Sequence, residues 1–176
     1  MDRLHALDGN CQLLDQGIKL LQRIDDDAYA ASGAAPDRSP AGSHFRHVLD
    51  HYQGFLAGLA EGRIDYDDRR RDPRLEQDRG FAIATAMGLL TDLSRLPPSL
   101  ASRTLEVSMQ CLADSDEPDW CSSTVQRELQ FLVSHTVHHY ALIKELLRQA
   151  GVDAGDEFGV APSTLAHRRS LAECAR

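Results

Sequence analysis

His135-Thr136-Val137-His138-His139-Tyr140-Ala141-Leu142-Ile143 lies in the middle of a segment whose apolar residues recur at helical spacing. Val125, Leu129, Phe131, Leu132, Leu142, Ile143, Leu146 and Leu147 define one broad face of that helix. His135 and His139 fall near the centre of this face, and His138 lies about 100° away, at its edge. Ser123 with Gln126 three residues on matches a capping box, so the helix is expected to begin near Thr124 and to run about 26 residues to a stop at Gly151. Residues four apart on a helix hold their Cβ atoms about 5–6 Å apart, so two imidazoles there can converge on one ion at ~2.0–2.1 Å. Buried without a metal, the same pair needs hydrogen-bond partners that Leu, Ile and Phe cannot supply. The pattern is not HExxH, because Thr136 stands where that motif has its glutamate.

Upstream, Leu4, Leu7, Cys11, Leu14, Ile18 and Leu21 step by three and four, which predicts a first helix of about 25 residues. The Ala/Gly/Ser/Pro/Asp-rich run from Ala31 to Ser39 breaks it, and Ser39-Pro40 reads as a capped start. The second helix carries Phe45, Val48, Leu49, Tyr52, Phe55, Leu56 and Leu59 and should stop near Gly62. Between Arg63 and Arg79, Asp65, Asp67 and Asp68 run into Arg69, Arg70 and Arg71, a composition expected of a solvated loop with mixed ion pairs. Asp72-Pro73 opens a third helix through Phe81, Met87, Leu89, Leu90 and Leu93 to Leu96, and Pro97-Pro98 ends it. From Thr104 to Leu112 the period changes to two, as in a strand or extended arm paired in a hairpin with residues near Trp120. These elements predict an all-α fold, a four-helix bundle over residues 1–152 with a small β-hairpin or extended insertion between helices three and four. Residues 153–176 read as a tail packed on the bundle or mobile beyond it.

At 176 residues the chain has the size of one domain, and 42% hydrophobic with 26% charged residues is ordinary for a globular protein. A net charge of -8 repels phosphate backbones, which argues against nucleic acid as a partner. Cys11, Cys111, Cys121 and Cys174 are widely spread and read as reduced thiols. No basic-then-apolar leader opens the sequence and no run of 18 apolar residues occurs, so a soluble cytoplasmic protein with no membrane partner is expected.

Histidine is clustered. Besides His5 and His167 near the termini, the remaining six form the helix-four group and a second group in Ser43-His44-Phe45-Arg46-His47-Val48-Leu49-Asp50-His51. On the second helix the apolar centre lies nearest His44, then His51, with His47 furthest at roughly 140°. Burial alone selects His51 or His44 as a third ligand and places His47 at the surface. Gly54 and Gly58, however, lie on the His47 and His51 side, where small residues let another helix approach and give this helix two buried faces. Asp50 can accept a ligand imidazole's other N–H or can face solvent. Glu128, two turns before His135 on the same face, reads as a first-turn glutamate favoured by the helix dipole, with an acid/base at a pocket mouth as the alternative.

His47-Val48-Leu49-Asp50 in the second helix, together with the run His135 to Ile143 in the last long helix, is similar to the DinB/YfiT-like metalloenzymes, and the resemblance covers nearly the whole chain in order. It implies a four-helix bundle that holds one divalent ion through His47, His135 and His139, with His51 as the substitute for His47. In the thiol-dependent isomerase branch one ligand is glutamate; histidine at both helix-four positions matches the three-histidine branch. The Arg-Gly-Gln more familiar after the double histidine is replaced here by Tyr140-Ala141-Leu142. Three neutral imidazoles leave the full charge on the ion and an open coordination position, the pattern of catalytic sites, and zinc or nickel suits such a site. The resemblance favours a transferase using a low-molecular-weight thiol. A metal-dependent hydrolase and a non-catalytic metal-bound binding or stress-response module are the alternatives. Pairing through apolar helix faces makes a homodimer the expected assembly.

Overall fold

Helix α1, His5–Arg23, turns Leu7, Leu14, Ile18 and Leu21 inward, as its three-four spacing requires. It is shorter than expected because Ile24 is extended and the Asp25 side chain accepts the Ala28 N–H to start a separate turn, α2, Asp26–Tyr29. The computed structural model describes residues 4–32, 39–114 and 117–174, so residues 33–38 of the expected breaking run lie outside the described residues. Helix α3, Ala41–Glu61, is preceded by Pro40 in the cap position with no side-chain cap. Ser39 therefore does not cap it, contrary to the sequence reading. Gly62, at φ 77°, ends it in the left-handed conformation that glycine adopts without strain.

The segment after α3 is not a plain charged loop. Arg63-Ile64-Asp65-Tyr66 alternates exposed and buried positions, and strand β1, Arg63–Asp65, pairs in parallel with β2, Thr104–Ser108. Strand β2 pairs antiparallel with β3, Trp120–Thr124, with Val107 opposite Cys121, so the expected hairpin forms and β1 extends it to three strands in the order β1-β2-β3. The expected third helix is two: α4, Arg74–Gln77, and α5, Arg79–Ser94. Asp78 between them is extended and its carboxylate accepts the Phe81 N–H, a new cap where a continuous helix was expected. Met87, expected on the core face of α5, is half exposed.

Helix α6, Val125–Gln149, starts where expected, but the cap is Thr124, whose hydroxyl accepts the Arg127 N–H. Its buried stripe runs through Leu129, Leu132, Thr136, Tyr140, Ile143 and Leu147. Leu142 is exposed, so the face is rotated from the expected one and His135 and His139 lie half-buried at its edge rather than at its centre. Helix α7, Pro162–Cys174, presents no buried residue.

Among the described residues the protein is mostly helical with this one small sheet. Helix α1 packs on α5 and α6, and α3 packs on the same two. Tyr52, Phe45, Leu14, Leu129 and Tyr140 fill the interior. A polar chain crosses it: Thr136 Oγ1 donates to the Tyr52 hydroxyl (3.1 Å), Tyr52 donates to Asn10 Oδ1 (2.8 Å), and Asn10 Nδ2 donates to the Leu129 carbonyl (2.8 Å). Each of these polar side chains thereby has a partner, and α1, α3 and α6 are held in one register. Among the described residues, no helix is long and apolar enough to cross a membrane.

Candidate metal centre

The α3–α6 contact brings the two histidine groups together. From α3 come His44, His47 and His51; from α6 come His135 and His139, with His138 exposed beside them. His47 Nε2 faces His135 Nε2 at 3.0 Å, and the His139 ring lies 4.5 Å from that of His47 and 4.6 Å from that of His135. One nitrogen from each of His47, His135 and His139 falls within 4.8 Å of the others, so these three imidazoles could hold a metal ion. His47 is half-buried against α6, not at the surface where the helical wheel put it. The glycines do not explain that second buried face as expected. Gly58 admits β1, since a Cβ there would collide with Arg63 and Ile64, while Gly54 meets no neighbour.

The other histidines occupy different places. His51 is buried, its ring 3.9 Å from that of His135, and its Nδ1 donates to the His47 carbonyl at 2.8 Å. His44 points its Nδ1 at His139 Nδ1 from 3.0 Å. His5 and His167 are exposed.

Burial is the main force on the cluster's protonation. It lowers His47 to about 3, His135 to about 2 and His139 to about 4, with neighbouring imidazoles and, at His47 and His139, Arg69 adding repulsion. All three are therefore neutral at pH 7, the form in which an imidazole ligates a metal. Arg69 Nη1 lies 2.7 Å from His47 Nδ1. A guanidinium only donates, so Nδ1 accepts, the His47 proton sits on Nε2, and that N–H points at His135 Nε2. The His135 proton is then left on Nδ1, which is buried without a partner. A metal-free cluster thus ends its hydrogen-bond chain on an orphaned N–H, whereas an ion shared by the three rings would use the facing lone pairs directly. The donor set fits a divalent ion of the borderline class.

Asp50 plays neither role expected of it. It is 2% exposed, so it does not face solvent, and neither carboxylate oxygen accepts a hydrogen bond from an imidazole. Arg46 Nη1 stands 3.6 Å away, and burial raises the Asp50 carboxyl against the pull of Arg46 and Arg69. Glu128 is the first-turn glutamate of α6, as expected, and it is buried; its Oε2 accepts the Tyr66 hydroxyl (2.9 Å) and its Oε1 the Ser123 hydroxyl (2.5 Å). Arg69 and Tyr66 were missed because the segment holding them reads as charged loop, although its period-two start was the available signal. The four cysteines are free: Cys11 is half-buried and Cys111, Cys121 and Cys174 are exposed.

The family model of the DinB superfamily matches residues 14–143 of the chain. A fungal protein, FK506-binding protein 5 of Rhizopus delemar, is 34% identical over 110 residues, which make up 59% of this chain and 27% of that protein. The chain therefore spans about a quarter of the length of this curated relative. No solved structure matches it.

Proposed function

Because the chain belongs to the DinB superfamily, we propose that it is a divalent-metal-dependent enzyme, a four-helix bundle whose α3–α6 seam holds zinc or nickel through His47, His135 and His139. The observation that carries this reading is the convergence of three ring nitrogens within 4.8 Å, from two packed helices, in a site that keeps them unprotonated. Three neutral ligands would leave an open position on the ion, which when bound supplies Lewis acidity towards a water or holds a thiolate. The protein's own residues set the rest. His44 Nδ1 can accept from His139 Nδ1–H, which fixes the His139 tautomer with its Nε2 lone pair free for the ion. Arg69 works in the opposite direction: ligation through His47 Nε2 requires the proton on Nδ1, so Arg69 must release that atom when metal enters.

We read the reaction as transfer involving a low-molecular-weight thiol. The site contributes no carboxylate among its three donors, so an incoming thiolate meets undiminished positive charge. The test has two stages. Untagged protein is analysed for zinc and nickel beside a His135→Ala/His139→Ala variant; one ion per chain, lost in the variant, is expected, and equal trace contents would overturn the reading. The metal-loaded protein is then assayed with thiols plus electrophiles and with hydrolase substrates. Thiol transfer abolished by His139→Ala supports the proposal. Hydrolysis alone would make the protein a hydrolase, and metal-dependent stability without turnover would make it a binding module.

A further inference from the structure

The sheet and the first turns of α6 enclose a cavity of about 360 Å³ that the metal reading does not use. Its floor is Tyr66, Val107, Ser108 and Glu128, all buried, and its rim includes the exposed Cys111 and Cys121. Two features give it a chemistry. Most of the lining is apolar, and one carboxylate stands at the bottom.

Glu128 is 5% exposed. It accepts one hydroxyl on each oxygen, from Ser123 and Tyr66, and has no ion-pair partner among the described residues. A carboxylate offers about four acceptor positions, so roughly two remain. The N-terminus of α6, whose first turn Glu128 occupies, and two neutral hydroxyls offset only part of the buried charge, and a cation with its own N–H groups supplies the rest. The charges at the rim, Arg127 and Asp119, are exposed and of opposite sign, so solvent screens them and they do not reverse this preference. The volume is that of a small-molecule site at the lower end of the usual range.

The cavity also lies one aromatic layer from the histidines. Tyr66 stacks on His51 at 5.5 Å, Phe131 stacks on His135 at 5.5 Å, and the Tyr66 and Phe131 rings lie 5.0 Å apart. We infer that this cavity binds a small apolar molecule carrying an ammonium group, with the cation on Glu128 and the apolar body against Val107 and Phe131. The ligand class stands on the cavity alone; the cavity's use as a substrate anchor rests on the metal-centre reading.

The test uses the full chain, with and without EDTA, and three probes of one shape: benzylamine, benzyl alcohol and benzoate. Calorimetry is expected to show benzylamine binding at least about tenfold more tightly than benzyl alcohol, with benzoate weakest. Mapping of N-ethylmaleimide adducts by mass spectrometry should show benzylamine slowing the labelling of Cys111 and Cys121, while Cys174 on α7 is unaffected. Glu128→Gln, checked for an unchanged thermal melt, should erase the preference for the amine. Benzoate or benzyl alcohol binding as tightly as benzylamine, absence of binding by all three, or an amine preference that survives Glu128→Gln would each overturn the inference. Because binding is read in EDTA, amine binding by a chain that takes up no metal would sink the metal reading alone, and metal uptake without amine binding would sink this inference alone.

Discussion

His47 and His135 meet Nε2 to Nε2 at 3.0 Å across the α3–α6 seam, while His51, one turn further along α3, commits its Nδ1 to the His47 carbonyl. The two α3 histidines are thus unequal, although burial alone would choose His51. Replacing His47, His135 or His139 singly with alanine is expected to weaken metal binding by more than about a hundredfold, and replacing His51 by no more than about tenfold. Chelator competition followed by elemental analysis measures both. A His51→Ala protein that loses metal as completely as His47→Ala would reassign the third ligand.

His44 and Arg69 touch opposite ends of the cluster and should have opposite effects. His44→Ala removes the acceptor that orients His139 and is expected to cost about 10- to 100-fold in metal affinity. Arg69→Ala removes both a positive charge and the donor that holds His47 Nδ1, so affinity should rise severalfold. The two variants are compared in one zinc titration against a competing dye. A loss of affinity in both would mean that Arg69 supports the site instead of competing with the metal.

What the sequence reveals of this site follows from what periodicity encodes. Gly62, Gly151 and the alternation around Val107 act locally, through a positive φ or a two-residue repeat, so the helix ends and the hairpin are readable. The orientation of His47 depends on where α6 packs, which no single-helix wheel contains; the family resemblance points to His47, and the wheel points away from it. On α6 the wheel errs because Leu142 counts as apolar although it is exposed, which rotates the apparent face towards His135 and His139. The contacts of Arg69 and the burial of Glu128 are hidden for a different reason. A charged residue is presumed solvated, and only the tertiary fold puts the Arg69 guanidinium on an imidazole and the Glu128 carboxylate beneath two hydroxyls.

The lowered histidines make the metal-free protein acid-labile. Folded values of about 3, 2 and 4 for His47, His135 and His139 lie below the ordinary unfolded value of about 6.5. Between the two the unfolded chain binds more protons, so the stability these groups contribute is complete above about pH 6.5 and is lost as pH falls towards their folded values. At pH 5 the loss is at most about 2 kcal/mol per imidazole, and less once solvent screening of these half-buried, mutually coupled rings is counted. Asp50, raised by burial, acts in the opposite sense but is one group against five, since burial also lowers His44 and His51. Urea unfolding in EDTA at pH 8, 6.5 and 5 should give a steep fall only over the last interval. A flat profile would show that the imidazoles are not held neutral.

Tyr52 joins three helices through one hydroxyl. It accepts from Thr136 and donates to Asn10, and all three side chains are buried. Tyr52→Phe keeps the ring but leaves the Thr136 donor and the Asn10 acceptor unsatisfied, which should destabilise the fold by about 1–3 kcal/mol. Thr136→Val in the same background removes the stranded donor and should recover part of the loss, because the two changes share one network and are not additive. Equal and additive losses, read from urea midpoints, would show that the network is not coupled.

Gly159 fixes the chain after α6 against that helix. Its φ is 69°, and a Cβ there would collide with the backbone of Tyr140 and Ala141, so glycine is required both for its conformation and for the close approach. The preceding Phe158 is buried, with its ring stacked 4.5 Å from that of Tyr140. Lys144 Nζ adds bonds to the Gly155 carbonyl (2.7 Å) and the Asp156 carbonyl (3.0 Å). Gly159→Ala cannot relieve the contact by turning a side chain, since the atoms it meets are backbone; the expected response is release of the segment, with exposure of Phe158 and a loss of roughly 2–4 kcal/mol. Limited proteolysis should then cut between α6 and α7 in the variant under conditions that spare the parent chain, while the histidine cluster, built from α3 and α6, keeps its metal stoichiometry. Resistance equal to that of the parent would show that the backbone approach at Gly159 is not what holds this segment down.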